Sequence, residues 1–140
     1  MSLFNQVNTV EDEILLFSNI FWKKYSEHLL DDIGELPPIK MVWKKSGVAG
    51  FAYYKGIVEF NVPYFLSHTN QEELEELIAH ELAHIIQYRI YPKAKQAHGP
   101  EFRYIMNCIG LAGRTYHYMS VSKAKSVVDN KSAILNEVEI

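Results

Sequence analysis

Thr69-Asn70-Gln71-Glu72-Glu73-Leu74-Glu75-Glu76-Leu77-Ile78-Ala79-His80-Glu81-Leu82-Ala83-His84-Ile85-Ile86-Gln87-Tyr88-Arg89 carries the strongest helix signal in the chain and its most informative polar residues. Thr69 or Asn70 can cap the helix, with Glu72 or Glu73 three residues on as the partner in a capping box. Leu74, Leu77, Ile78, Leu82, Ile85 and Ile86 then form one apolar stripe at helical spacing. Residues four apart lie one above the other on a helix, so His80 and His84 point the same way. Two imidazoles so placed suit a tetrahedral zinc ion, and Glu81 can reach a coordinated water without being a ligand itself. Zinc lowers the pKa of such a water to about 7, so that the carboxylate can take its proton and a hydroxide can attack a carbonyl carbon.

A five-residue motif with three fixed positions arises by chance often enough that it needs support. A catalytic zinc site also requires a third ligand and an open fourth position. Four other histidines are available, His28, His68, His98 and His117. His98 is the best placed. Tyr91-Pro92 ends the motif helix, a polar loop runs from Lys93 to Gly99, and Pro100 suits the first position of a new helix. A helix-loop-helix return then brings His98 back over the first helix. Phe102, Ile105, Met106 and Ile109 give the second helix a buried face, and Gly110 stops it. His28 and His68, set among polar neighbours at element ends, read as surface residues.

Upstream, Thr9 can cap a helix that carries Ile14, Phe17, Phe21 and Tyr25 at helical spacing and runs to about Leu30. Asp31 to Pro38, with Gly34 and Pro37-Pro38, reads as a loop. Ile39 to Trp43, Val48 to Tyr54 and Ile57 to Val62 read as strands, with Lys55-Gly56 as a two-residue hairpin turn. The expectation is an α+β fold in which a small antiparallel sheet, with its hairpin near residues 48–62, packs on the motif helix and further helices. A short strand around Thr115 to Val121 and a weakly helical or partly disordered tail over residues 122–140 complete the reading. Residues 1–121 form the expected domain.

The 140 residues suit one domain. Apolar residues at 48% and charged residues at 22% exclude intrinsic disorder. No apolar run could cross a bilayer, and Met1-Ser2-Leu3-Phe4-Asn5-Gln6 lacks the basic and apolar regions of a secretory signal, so no membrane partner is expected. The single cysteine, Cys108, excludes an intramolecular disulfide and a cysteine-based zinc ribbon. A cytoplasmic location follows, in a cell or, for a viral protein, in its host. The net charge of −3 gives no global footprint for nucleic acid, although Lys23-Lys24, Lys44-Lys45, Lys93 with Lys95, and Lys123 with Lys125 are local basic groups.

His80-Glu81-Leu82-Ala83-His84, then His98-Gly99-Pro100-Glu101-Phe102, then Tyr116-His117 resemble the SprT-like zinc metallopeptidases, which include the bacterial SprT proteins and the catalytic domain of the DNA–protein crosslink protease Spartan. The resemblance reaches upstream to Ala49-Gly50 and to the strand ending Phe60-Asn61, and so covers roughly Met41 to Val121. It implies a zincin-like fold with one zinc ion on His80, His84 and His98, and Glu81 as the catalytic base. It further implies an endopeptidase acting on protein or peptide substrates, with DNA-associated or DNA-crosslinked proteins among them. The hairpin could present a strand edge to an extended substrate. With one cysteine the chain resembles a minimal form of the family without the C-terminal ribbon.

The oxyanion of peptide hydrolysis calls for a further donor. Arg114, Tyr116 and His117, after the second helix, are the candidates, with Glu101 weaker. Trp43, Tyr53 and Tyr54 are candidates to line a substrate cleft, against the ordinary role of hairpin aromatics as core or cross-strand pairs. The alternative to an enzyme is a zinc-stabilised binding or adaptor domain, a role in which Glu81 would have no use.

Overall fold

Helix α1 (Leu3–His28) leads the chain in the computed structural model, which describes residues 3–44, 48–67 and 70–111. It begins about two turns before Thr9, which is therefore an interior helical residue rather than the cap. No glycine or proline lies between Leu3 and Thr9 to stop the helix, and an interior Asn or Thr costs only about 0.5 kcal/mol. Ile14, Phe21, Trp22 and Tyr25 form its buried face. A loop with Gly34 follows. Arg89 donates to the carbonyls of Ile33 (2.7 Å) and Glu35 (2.6 Å), while Trp22 Nε1 donates to Gly34 O (3.0 Å), which fixes that loop.

Three strands follow, β1 (Ile39–Val42), β2 (Gly50–Ala52) and β3 (Val58–Asn61), in the order β1-β3-β2. The α+β class holds, and the β2–β3 hairpin is antiparallel as expected, with Phe51 opposite Glu59. The sheet as a whole is mixed, because β1 pairs with β3 in parallel, Ile39 opposite Val58 and Val42 opposite Asn61. The reason is topological. A short loop makes β1 and β2 run in opposite directions, and a hairpin does the same for β2 and β3. Since β1 takes the far edge of β3 rather than the outer edge of β2, it must run parallel to β3. Asn61, at the end of β3, holds the connecting loop across that end: its Oδ1 accepts from Lys44 N (2.9 Å) and its Nδ2 donates to Lys44 O (2.9 Å) and Val48 O (3.3 Å).

The hairpin turn has three residues, not two. Gly56 N donates to Tyr53 O and Tyr53 N to Ile57 O, both at 2.8 Å, and Gly56 has φ +100°, the left-handed position that closes such loops. A further difference is a short helix, α2 (Val62–Ser67), which starts where the third strand was expected to end. Pro63 accounts for it: proline has no N–H to give a sheet ladder but fits the first turn of a helix.

Helix α3 (Gln71–Ile90) contains the HExxH motif. Asn70 caps it, with Oδ1 accepting from Glu73 N at 3.2 Å. The helix is buried along nearly its whole middle, from Glu76 to Gln87, between α1, α4 and the sheet. Helix α4 (Pro100–Cys108) starts at Pro100 and buries Phe102, Ile105 and Met106. Gly110, at φ +84°, donates to Asn107 O, and Leu111 N donates to Met106 O, the paired bonds of a Schellman stop. Ile109 sits at the cap and is half-buried.

Tyr25, fully buried, ties these layers together. Its hydroxyl donates to Ala79 O (2.9 Å), one residue before His80, and lies 3.3 Å from Met106 Sδ. The Ala79 carbonyl is also within reach of the ordinary helical bond, so it is not orphaned when the phenol is removed. Tyr25→Phe is therefore expected to cost about 1 kcal/mol, the value of one net hydrogen bond, in urea unfolding.

Candidate metal centre

His80 and His84 project from one face of α3, and the loop after α3 returns His98 to them. His80 Nε2 lies 3.2 Å from His84 Nε2 and 3.2 Å from His98 Nε2. The three residues each offer a ligand atom, all within 4.8 Å of one another, and are positioned to hold a metal ion. Two nitrogens each about 2.0–2.1 Å from a common tetrahedral centre stand about 3.3 Å apart, so the observed spacing fits an imidazole-bound ion of zinc's size. Imidazole is a common ligand for zinc, copper, iron and nickel alike.

Two structural features set this convergence. The side chain of Gln87 donates through Nε2 to Gln96 O (2.8 Å), anchoring the loop two residues before His98. Phe102, with no exposed surface, lies against all three imidazoles, its ring centroid 4.8 Å from that of His80, 4.6 Å from His84 and 5.0 Å from His98. Among these, Gln87 was missed in the sequence, where only its position one turn beyond His84 could have flagged it.

Glu81 is buried, and its Oε1 lies 3.9 Å from His80 Nε2, beside the nitrogen cluster rather than within it. Burial pushes its carboxyl up to about 8, against the opposing effect of a backbone hydrogen bond from Ala52. His84 is driven the other way, down to about 4, by burial and then by the charge of nearby His98; burial also lowers His98. At neutral pH these two imidazoles are thus unprotonated, the form in which histidine coordinates a metal. The outer edge of β2 flanks the site. Tyr88, one turn beyond His84 and stacked on it with centroids 6.3 Å apart, directs its hydroxyl at Ala52 O (3.4 Å).

The other expected residues separate clearly. Tyr54, largely exposed, packs on Tyr88 at 5.2 Å and, with Ile85, Tyr88 and Arg89, lines a cavity of about 300 Å³ next to this side of α3. Tyr53 is on the far face of the sheet, where it donates to Glu59 Oε2 (2.8 Å). The cavity on that face, about 230 Å³, is lined by Glu59, Lys44 and Tyr53 but by none of the histidines. Trp43, just past β1, is half-buried. His28 is exposed at the end of α1, as a surface residue should be, and Glu101 lies in the first turn of α4. His68, Arg114, Tyr116, His117, the strand at Thr115 to Val121 and the tail over residues 122–140 fall outside the described residues.

A model of the SprT-like family matches residues 18–123, beginning inside α1 and so well upstream of the motifs. The chain is similar to Protein SprT of Actinobacillus succinogenes, 31% identical over 103 residues, which is 71% of this chain and 58% of that protein. It is likewise similar to Protein SprT of Pseudomonas fluorescens, 29% identical over 102 residues (72% and 56%), and of Vibrio parahaemolyticus, 32% identical over 83 residues (56% and 50%). The chain thus spans a little over half the length of the first two of these curated relatives. Among solved structures, none matches it.

The opposed titrations make the metal-free protein's stability depend on pH in a way that identifies Glu81. Its raised carboxyl pKa means that the folded state holds a proton which the unfolded state has released, so stability falls as pH rises toward about 8. The lowered His84 acts oppositely, removing stability only as pH falls from about 6.5 toward 4. Above about pH 6.5 Glu81 acts alone. Chelator-treated protein should lose about 2 kcal/mol of unfolding free energy between about pH 6.5 and pH 8.5, and Glu81→Gln should flatten that slope. Equal slopes in both proteins would show that the carboxyl is not proton-bound near neutrality.

Proposed function

Because this chain belongs to the SprT-like family, we propose that it is a zinc-dependent endopeptidase whose metal is held by His80, His84 and His98 and whose proton carrier is Glu81. The observation that carries this reading is a buried carboxyl, without a lysine or arginine partner among the described residues, held next to three converging imidazole nitrogens. Burying such a group without full compensation costs several kcal/mol. A metal site that only braced the helices would be better served by an apolar residue or by a fourth protein ligand. The adaptor reading therefore has no observation in its favour.

Zinc bound to the three nitrogens supplies Lewis acidity, which lowers the pKa of water to about 7 and polarises a carbonyl. The chain's own residues do the rest. Burial gives Glu81 a proton affinity close to neutrality, and the nearby cation would draw it lower still. Its carboxylate can thus accept a proton from water as the water oxygen bonds to the carbonyl carbon. It can return that proton to the amine nitrogen as the C–N bond breaks. Phe102 packs against all three imidazoles and keeps them oriented. The aromatic pair Tyr54 and Tyr88 stands beside the site, next to the cavity that both line.

The substrate class we assign is DNA-associated or DNA-crosslinked protein, on the resemblance to the crosslink proteases and on the exposed lysines. Lys93 and Lys95 lie on the loop that bears His98, and Lys23 and Lys24 on α1. Lys44 is less available, being paired with Glu59 at 3.0 Å. The compartment in this reading is the cytoplasm, in keeping with the single thiol of Cys108.

Glu81→Gln should retain zinc, measured by metal analysis, and lose about 10²–10⁴-fold in peptide cleavage; full activity in that variant would reject the mechanism. Addition of DNA should stimulate cleavage at low salt, with the effect fading as salt rises. No binding to single- or double-stranded DNA at low salt, together with no stimulation, would remove the DNA assignment and leave the peptidase intact.

A further inference from the structure

Strand β2 passes so close to Glu81 that even a methyl group at position 50 would press on its neighbours. A Cβ on Gly50 would lie 3.1 Å from Glu81 Cγ on one side and 3.2 Å from Phe60 Cδ1 on the other. Phe60 cannot give way, since it has no exposed surface and stands edge-on to Phe65 with centroids 5.8 Å apart. Glu81, at the margin of the nitrogen cluster, is the neighbour that would move. The same strand supplies a second restraint. The bonds from Asn61 N to Ala49 O and from Tyr53 N to Ile57 O fix the register, and in an antiparallel pair the residues between bonded pairs turn their N–H and C=O outward. Ala52 is such a residue. Its backbone N–H hydrogen bonds to the Glu81 carboxylate and its carbonyl faces the Tyr88 hydroxyl.

We propose that β2 is the positioning element for Glu81: Gly50 by lacking a side chain, and Ala52 by its outward N–H, fix where the carboxylate stands relative to His80, His84 and His98. This rests on the reading of Glu81 as the proton carrier. Gly50 and Ala52 act through Glu81 and are positioning residues, with no part in the bonds made or broken. The strand register then has a chemical consequence. A slip of one residue would turn a ladder amide toward Glu81 and put a side chain where Gly50 leaves space.

A methyl group at position 50 displaces the carboxylate by a few tenths of an ångström, and misplacement by 1 Å costs about 10²-fold in rate. In the zinc-loaded full chain, Gly50→Ala should lower kcat about tenfold while KM and zinc affinity stay within about twofold, because the nearest neighbours of the methyl are Glu81 and Phe60 rather than the three histidines. Loss of zinc affinity in parallel with kcat, or an unchanged kcat, overturns the proposal. A second measurement avoids dependence on how that variant folds. In amide exchange followed by NMR, the Ala52 amide should exchange about tenfold faster in Glu81→Ala than in the parent protein, while the Tyr53 amide, bonded to Ile57 O, keeps its rate. Equal Ala52 rates in the two proteins also overturn it. An active Gly50→Ala beside an inactive Glu81→Gln removes only this inference, whereas an active Glu81→Gln removes the function on which it stands.

Discussion

Three imidazoles, two from the buried middle of α3 and one from the loop that follows it, meet beside a buried carboxyl, and the rest of the molecule is arranged so that they can. His80, Glu81 and His84 are each less than a tenth exposed, in a stretch of α3 otherwise made of Leu, Ile and Ala. Polar groups placed there lose hydration, and protonating two imidazoles 3.2 Å apart would put like charges in contact. The arrangement persists because its surroundings are rigid. Tyr25 fixes α3 from behind at Ala79, Phe102 lies against all three rings, and Gln87 ties down the loop that delivers His98. Each comes from a different element, so the nitrogens converge only when α1, α3, α4 and the intervening loop are packed together.

The sheet contributes through its strand order. With β1 on the far edge of β3, the outer edge of β2 is left to face α3, where Ala52 meets Glu81 and Tyr88. A simple meander, with β1 beside β2, would have covered that edge and separated the helix from the hairpin. The two faces of β3 are correspondingly divided. Val58 and Phe60 enter the core, while Glu59 and Asn61 on the other face bind the side chains and loop that close the sheet's outer surface. A strand of four residues can be buried on both faces only because its polar side chains are fully engaged.

What the sequence made legible was what depends on neighbours within a turn or two. Asn70, Pro100 and Gly110 bound α3 and α4 through cap chemistry that reads directly from residue type, and the i, i+4 relation of His80 to His84 is a property of the helix alone. His98 was accessible by one further step, since a helix-loop-helix return has few places to put it. The parallel pairing of β1 was not accessible, because periodicity shows that a strand has two faces but says nothing about which edge it joins. Thr9 misled for a related reason: a good capping residue caps only where the helix has cause to stop. Pro63 was a legible signal overlooked within an apolar run. The close approach of Gly50 to Glu81 joins residues 31 apart in sequence, and no local pattern encodes it.

Glu59 and Glu81, two of the buried carboxyls among the described residues, show by comparison why Glu81 stands out. Burial raises Glu59 too, but hydrogen bonds from Lys44 and Tyr53, with the charges of Lys44 and Lys40, outweigh that and hold its carboxyl below the usual range. That is the ordinary way a folded protein accommodates a buried acid: it supplies donors and a countercharge until the ionised form is the stable one. Glu81, on the other side of the same hairpin, receives a backbone hydrogen bond from Ala52, lies 3.9 Å from an imidazole, and is left with its carboxyl raised to about 8. Lysine and tyrosine were available to this sheet, as Glu59 demonstrates, so compensation at Glu81 was not out of reach for the fold. An acid left able to gain and lose a proton near neutrality, next to three nitrogens spaced for a metal, is a local inconsistency of the kind that catalysis requires and structure alone does not.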